Sequence, residues 1–290
     1  MTVNYSQSPI NNQGFDLEEH DISAHGREIG IVYSQMSHDF DHSSIFQFDM
    51  FMNEFNIDPD TKEITQNYEY LDIEQWHNHS FKGYTLSEAD LVHSFCNKQN
   101  DSIKLKGDFG KDSFKILRVD ISKWDNDTTG NCAPENEIDD LINNVTLFVL
   151  LGDSYISFET GKAEIIDNTK VVDEYFTTMF TKNLDILVRK NDFSYTDSLI
   201  LNSESEGTFY SFSEERRLLS NNLHDTSPLI RIYIYMDYRT DRYEMSLYTL
   251  WDMIGVVGGV YEVLQITCSI FMGIYTQKLM SVDLVNSYIK

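Results

Sequence analysis

The residues whose types could do chemistry form a few small groups, and each lacks a companion that its chemistry needs. His38 and His42 flank Asp39 and Asp41, and His77 and His79 follow Glu74. Imidazoles four apart on a helix, or two apart on a strand, can share a metal, but a closed site needs more ligands and nothing here selects them. Solvated surface histidines are expected. Asp125-Asn126-Asp127-Thr128-Thr129-Gly130 opens like a calcium loop. Its twelfth position is Asn136, where such a loop requires a bidentate Glu, so a turn-rich loop is expected instead. Gly107-Asp108-Phe109-Gly110 holds the Asp-Phe-Gly triplet of kinases without a Gly-rich or His-Arg-Asp loop. Gly110-Lys111 is followed by Asp and lacks the glycine spacing of a phosphate loop. The sequence therefore predicts no enzyme, no cofactor and no metal.

Charge narrows the partners. Asp plus Glu is 47 and Lys plus Arg is 22, a net charge of −25. Such a surface repels phosphate backbones, so no nucleic-acid partner is expected. It also disfavours lying flat on an anionic leaflet. With 17 Tyr, 18 Phe and only 4 Pro, the chain is not of disordered composition and can bury a sizeable core.

The elements that would position any site are mostly strands. Phe46, Phe48, Met50 and Met52 alternate with Gln47, Asp49 and Phe51. Asp58-Pro59-Asp60 makes a turn, and Ile64 to Trp76 runs back, so 46–76 reads as a hairpin. Leu117, Val119 and Ile121 alternate with polar residues, as do Ile230, Ile232, Ile234 and Met236 with Arg231, Tyr233, Tyr235 and Asp237. Val145–Leu151 is a nearly continuous apolar strand, expected at a sheet centre. Three helices are expected: Ala89–Phe95 behind a Thr85/Glu88 capping box, a turn after Pro134 carrying Ile138, Leu141 and Ile142, and Val171–Phe180.

Met253–Tyr275 decides the class. It runs 23 residues with one formal charge, Glu262, long enough to cross about 30 Å of hydrocarbon. Tyr248, Trp251 and Tyr275 stand at its ends, where aromatic rings prefer the interface, and Lys278 follows. Its ten Ile, Val, Leu and Phe residues favour insertion by roughly 3 to 6 kcal/mol, against about 3 kcal/mol for a central acid. Such a marginal helix is expected to pair with another. Gly255, Gly259, Glu262 and Gln265 are its candidate interface. The competing reading is a buried core helix.

Orientation stays open. Arg231, Arg239 and Arg242 precede the segment and Lys278 and Lys290 follow, which leans toward a cytoplasmic domain. Five sequons, at Asn4, Asn78, Asn100, Asn126 and Asn144, point the other way; the last four are the candidate glycosylation sites. Cys96 and Cys132 could pair in a non-cytoplasmic domain, against three unpaired thiols with Cys268. Residues 1–28 carry five acids and no apolar core, so no secretory signal is expected within them.

Arg239-Thr240-Asp241-Arg242-Tyr243, followed by Leu250-Trp251-Asp252-Met253-Ile254-Gly255-Val256-Val257-Gly258-Gly259-Val260-Tyr261, resembles the end of a group of uncharacterised ciliate transmembrane proteins. Cys132-Ala133-Pro134-Glu135-Asn136-Glu137-Ile138-Asp139 resembles their ectodomain pattern, and the likeness covers roughly residues 85–285. It implies a β-rich ectodomain, a final membrane helix and a further helix upstream. Glu215-Arg216-Arg217 with Ile254-Gly255 and Gly258-Gly259-Val260 is similar, more distantly, to vesicle cargo receptors of the ERGIC/Erv type, two-helix proteins with a lumenal β-rich domain.

The expectation is thus a mainly β (α+β) ectodomain with a C-terminal transmembrane α-helix. Residues 1–27 are read as a loose polar segment, 28–248 as the acidic β-rich domain, 249–276 as the membrane helix and 277–290 as a short tail. The function expected is that of a non-enzymatic membrane-anchored protein with a non-cytoplasmic domain of unknown ligand, whose partners are the lipid bilayer and a membrane helix. The alternatives are a subunit of a two-helix channel, a vesicle cargo receptor, or a tail-anchored cytosolic domain.

Overall fold

The structure is a computed structural model. It describes residues 2–8, 20–21, 29–35, 46–58, 60–75, 80–81, 84–85, 94–97, 103–107, 112–123, 139, 142–158, 163–196, 204–221, 228–246 and 250–288. These residues are mainly strand, with one long C-terminal helix. Two compact units emerge: Tyr5–Phe193 with Gly207–Tyr243, and Met1–Asn4 with Ser194–Glu206 and Glu244–Lys290.

The described strands form two larger sheets and two two-stranded ones. In chain order the strands begin with β1 (Thr2–Ser8), β2 (His20–Asp21), β3 (Ile29–Gln35), β4 (Phe46–Ile57), β5 (Ile64–Leu71) and β6 (Ile73–Gln75). They continue with β7 (Ser80–Phe81), β8 (Tyr84–Thr85), β9 (Ser94–Asn97), β10 (Lys104–Leu105) and β11 (Ser113–Lys123). The last five are β12 (Val145–Ser157), β13 (Glu164–Tyr175), β14 (Phe180–Thr196), β15 (Glu204–Asn221) and β16 (Ile230–Ser246). The larger sheet runs β15-β14-β16-β11-β4-β5, with β1 also on β16, and the smaller runs β13-β12-β3-β9-β6.

Period-two patterning explains both sheets. Met50 and Met52 on β4, Leu117, Val119 and Ile121 on β11, and Ile230, Ile232 and Ile234 on β16 share one buried cluster. Val145, Leu147, Val149 and Leu151 on β12 face the same cluster from the smaller sheet. Each such side chain, withdrawn from water, contributes about 1.5–3 kcal/mol. β12 reads as continuously apolar because Leu150 is buried on its other face, beside Val32 and Cys96. It is central as expected, between β13 and β3.

The expected hairpin is β4–β5, in register from Met50↔Leu71 to Ile57↔Ile64. Its turn is an Asx-turn: the Asp58 carboxylate accepts the N–H groups of Asp60 at 2.8 Å and Thr61 at 3.1 Å. Those two backbone donors, Thr61 foremost, hold its carboxyl below the usual Asp value.

One expected helix fails, and a second is overturned at its C-terminal end. Val171–Tyr175 lies in β13, paired from Val171↔Leu150 to Tyr175↔Thr146 on β12, and Phe180 begins β14. Only alternate residues Val172, Glu174 and Phe176 are buried, so pairing overrides the local helical spacing. Ser94 and Phe95, expected to close a helix, lie in β9 against Val32 and Ile31; residues 86–93 lie outside the described set. In the third, Asp139 and Ile142 are helical.

In the second unit, helix α1 (Leu250–Tyr288) begins with the segment read as membrane-spanning and continues through residues 277–288. Within it, Ile254–Ser281 is long and apolar enough to cross a membrane.

Candidate functional site

α1 carries the residues singled out for helix association. At 100° per residue, Gly255, Gly258, Gly259, Glu262, Ser269 and Gly273 fall within a sector of about 100°, and Gln265 lies at its margin. A methyl group added at any of these four glycines would meet open space. The helix thus places these particular polar and small residues on or beside one face. Thr267 Oγ1 donates to the Val263 carbonyl at 2.7 Å, and Thr276 likewise bonds back to Met272, so these hydroxyls are satisfied within the helix.

The other sequence-predicted positions are scattered. Cys96 is buried on β9, where its Sγ lies 3.8 Å from the Glu74 carbonyl. Cys132, and with it the expected pairing, lies outside the described residues, as do Asn78, Asn100 and Asn126. Asn144 is exposed, in the turn before β12. His38, His42, His77, His79, the 125–130 loop and Asp108–Lys111 also lie outside them. No cluster able to hold a metal occurs among the described residues.

Sequence reasoning missed the outer face of the larger sheet. The residues that alternate with the core on β4, β11 and β16 are not a plain solvated set. Phe51↔Tyr70, Arg118↔Phe51 and Arg118↔Tyr233 are cross-strand pairs, so Tyr70, Phe51, Arg118 and Tyr233 form one row across four strands. The Arg118 guanidinium carbon sits 4.9 Å from the Phe51 ring centre and 5.9 Å from that of Tyr233, a cation–π arrangement. Asp120 holds it: Arg118 Nε donates to Asp120 Oδ1 at 2.8 Å, and Arg231 Nε donates to the same oxygen at 3.1 Å. Burial works against the Arg118 charge, but hydrogen bonding and the Asp120 charge outweigh it and raise its pKa.

Beside this row lies a groove of about 360 Å³. Its walls are Phe55, Ile116, Leu218 and Tyr233, and its polar groups are Asn53, Gln66, Arg118, Asn183 and Asp185. Gln66 Nε2 donates to Asn53 Oδ1 at 2.9 Å, fixing one amide with the other. The Asn183 amide is loosely held: Nδ2 lies 3.5 Å from Ser220 Oγ, and Oδ1 is buried with no partner. Burial raises the Asp185 pKa, against the pull of Arg216. The nearby Tyr235 phenol is pushed up to about 12, by burial first and then by Asp185. The sequence signal was the side-chain type: Tyr, Asn and Arg stand at outward positions where a solvated face would use Lys and Glu.

Further along β14 and β16 is a buried ion triad. Arg189 Nη2 reaches Asp237 Oδ2 at 2.7 Å and Arg189 Nη1 reaches Asp241 Oδ2 at 2.9 Å. These contacts tie the two strands that carry Asn183, Asp185 and Tyr233.

Comparison with known proteins bears on these strands. The family model of the uncharacterised 80 kDa protein N-terminal domain matches residues 29–237. The chain belongs to this family. The 80 kDa protein N-terminal domain therefore takes in the whole groove, Arg189 and Asp237, while α1 lies beyond the match. No curated protein matches the chain. A solved structure described as "Crystal Structure of Erv41p" aligns over 84% of this chain and 99% of its own at 9% identity. Its TM-score of 0.30 is too low to carry an argument.

Proposed function

We propose that this member of the 80 kDa protein N-terminal domain family is a non-enzymatic, membrane-anchored protein whose β-rich domain lies on the non-cytoplasmic side. The observation that carries the membrane anchoring is α1. From Ile254 to Met280 it exposes fifteen large apolar side chains. Leaving them in water would forgo on the order of 20–45 kcal/mol of burial, which a bilayer supplies. At 1.5 Å per residue Ile254–Ser281 is about 42 Å long, enough to span the hydrocarbon with tilt. Membership of the ciliate membrane-protein group, with its further upstream helix, belongs to this proposal, as does a Cys96–Cys132 bridge.

A second reading, a subunit of a two-helix channel or of a vesicle cargo receptor, is favoured by one observation. Glu262 and Gln265 lie on or beside the glycine face, where a partner helix or a water-filled cavity would meet them.

Glycosidase treatment of the protein from its native membranes tests the orientation. At least one of Asn78, Asn100, Asn126 and Asn144 is expected to carry a glycan and give a mobility shift. No shift, together with protease access to the domain from the cytosolic side, would make the chain tail-anchored.

A further inference from the structure

We infer that the groove on the outer face of the larger sheet is a binding site for an uncharged oligosaccharide. The inference does not rest on the membrane reading, because every residue involved lies between Phe51 and Tyr233.

Three features select the ligand. The first is charge. The chain carries −25, yet the groove holds one guanidinium and one carboxyl, and the guanidinium is already engaged by Asp120. No surplus positive charge is left for phosphate, sulfate or a sialic acid, and Asp185 alone does not make a cation cage. The second is the polar set. Gln66 and Asn183 bring side-chain amides, which both donate and accept as hydroxyl groups do, while Asn53, only 2% exposed, fixes the Gln66 amide from beneath. An apolar ligand would strip water from these amides and return nothing. The Asn183 carbonyl oxygen lacks a donor, and its amide is held only by the 3.5 Å contact, so it can turn to receive a ligand O–H.

The third is the aromatic lining. Phe55 and Tyr233 line the groove, and the row Tyr70, Phe51, Arg118, Tyr233 runs beside it, with Phe51 buried under Arg118 and the outer tyrosine open. Tyr70 and Tyr68 are 76% and 51% exposed at the outer strand. Across four strands the row spans about 15 Å. Rings of this kind cover the C–H faces of sugars while planar amides take the hydroxyls. A groove flanked by two exposed tyrosines suits a short chain of sugars better than one.

The test uses the full chain, purified in a detergent without a sugar headgroup, fluorescently labelled and laid over an array of neutral and acidic oligosaccharides. Binding to a subset of neutral glycans is expected, competed by the same free oligosaccharide. Asn183→Leu should weaken it about tenfold, the loss of one hydrogen bond to the ligand. The same change removes an unpaired buried oxygen, so the melting temperature should hold or rise. Tyr70→Ala, at a mostly exposed position, should weaken binding several-fold and serves if Asn183→Leu does not fold. Tyr155→Ala, on the other sheet, should bind as the parent does. Failure to bind any neutral glycan, preference for acidic glycans, or parental binding by folded Asn183→Leu or by Tyr70→Ala would overturn the inference.

Discussion

Replacing Arg189 with Met should cost the β-rich unit about 3–5 kcal/mol, a large share of the stability of an ordinary domain. The reason is the company Arg189 keeps. Its Nε and Nη2 donate to Asp237 Oδ2 at 2.9 and 2.7 Å, and Nη1 donates to Asp241 Oδ2 at 2.9 Å. The Asp237 and Asp241 side chains are only 3% and 7% exposed. Without the guanidinium, two carboxylates remain withdrawn from water and side by side. The penalty is that of uncompensated buried charge, which exceeds the net worth of the pairs themselves.

The rest of the thermodynamic cycle follows. Arg189→Met with Asp237→Asn and Asp241→Asn should recover most of the loss, because the charges disappear together. Arg189→Lys should recover only part, since an ammonium cannot present the fork that spans both acids. Urea unfolding of the solubilised chain, followed by tyrosine and tryptophan fluorescence, gives the four midpoints. A loss under 1 kcal/mol for Arg189→Met would mean that the triad does not hold β14 to β16.

The second large effect concerns α1. Glu262→Leu should favour membrane insertion by about 3 kcal/mol, because an acid near the centre of a spanning helix opposes insertion by that much. The inserted fraction in a microsomal assay should rise accordingly. Association should change in the same variant, since Glu262 shares a face with Gly255 and Gly259. Gly259→Ile should weaken helix pairing by placing bulk where backbones would approach. Both glycines border open space in the single chain, so any defect reports on a partner and not on the fold of the chain itself. If both variants insert and crosslink as the parent does, this face is not an interface.

Much of the fold was legible because one side of each sheet is buried. Alternation at 46–52, 117–121 and 230–236 located β4, β11 and β16, and the unbroken apolar run at 145–151 located the centre of the smaller sheet. The long apolar helix was legible from length alone. Val171–Phe180 misled, because two adjacent valines followed by Tyr175 and Phe176 fit a helical stripe as well as a strand. Only the pairing with β12 settles it. The groove was not legible for a related reason. Alternation says which side a residue faces, but not which strands become neighbours. Asp120 and Arg231 meet across 111 residues of chain, and Asn183 joins Asn53 only once β14, β16, β11 and β4 line up in that order. Outward residues therefore looked like solvated surface until the pairing was known.

Membrane anchoring through α1 is the central claim, and alkaline carbonate extraction tests it most directly. Membranes from cells expressing the intact chain should retain it in the pellet after carbonate treatment. A chain lacking Met253–Tyr275, expressed alongside, should appear in the supernatant. Release of the intact chain by carbonate, or its recovery from the soluble fraction without detergent, would contradict the account.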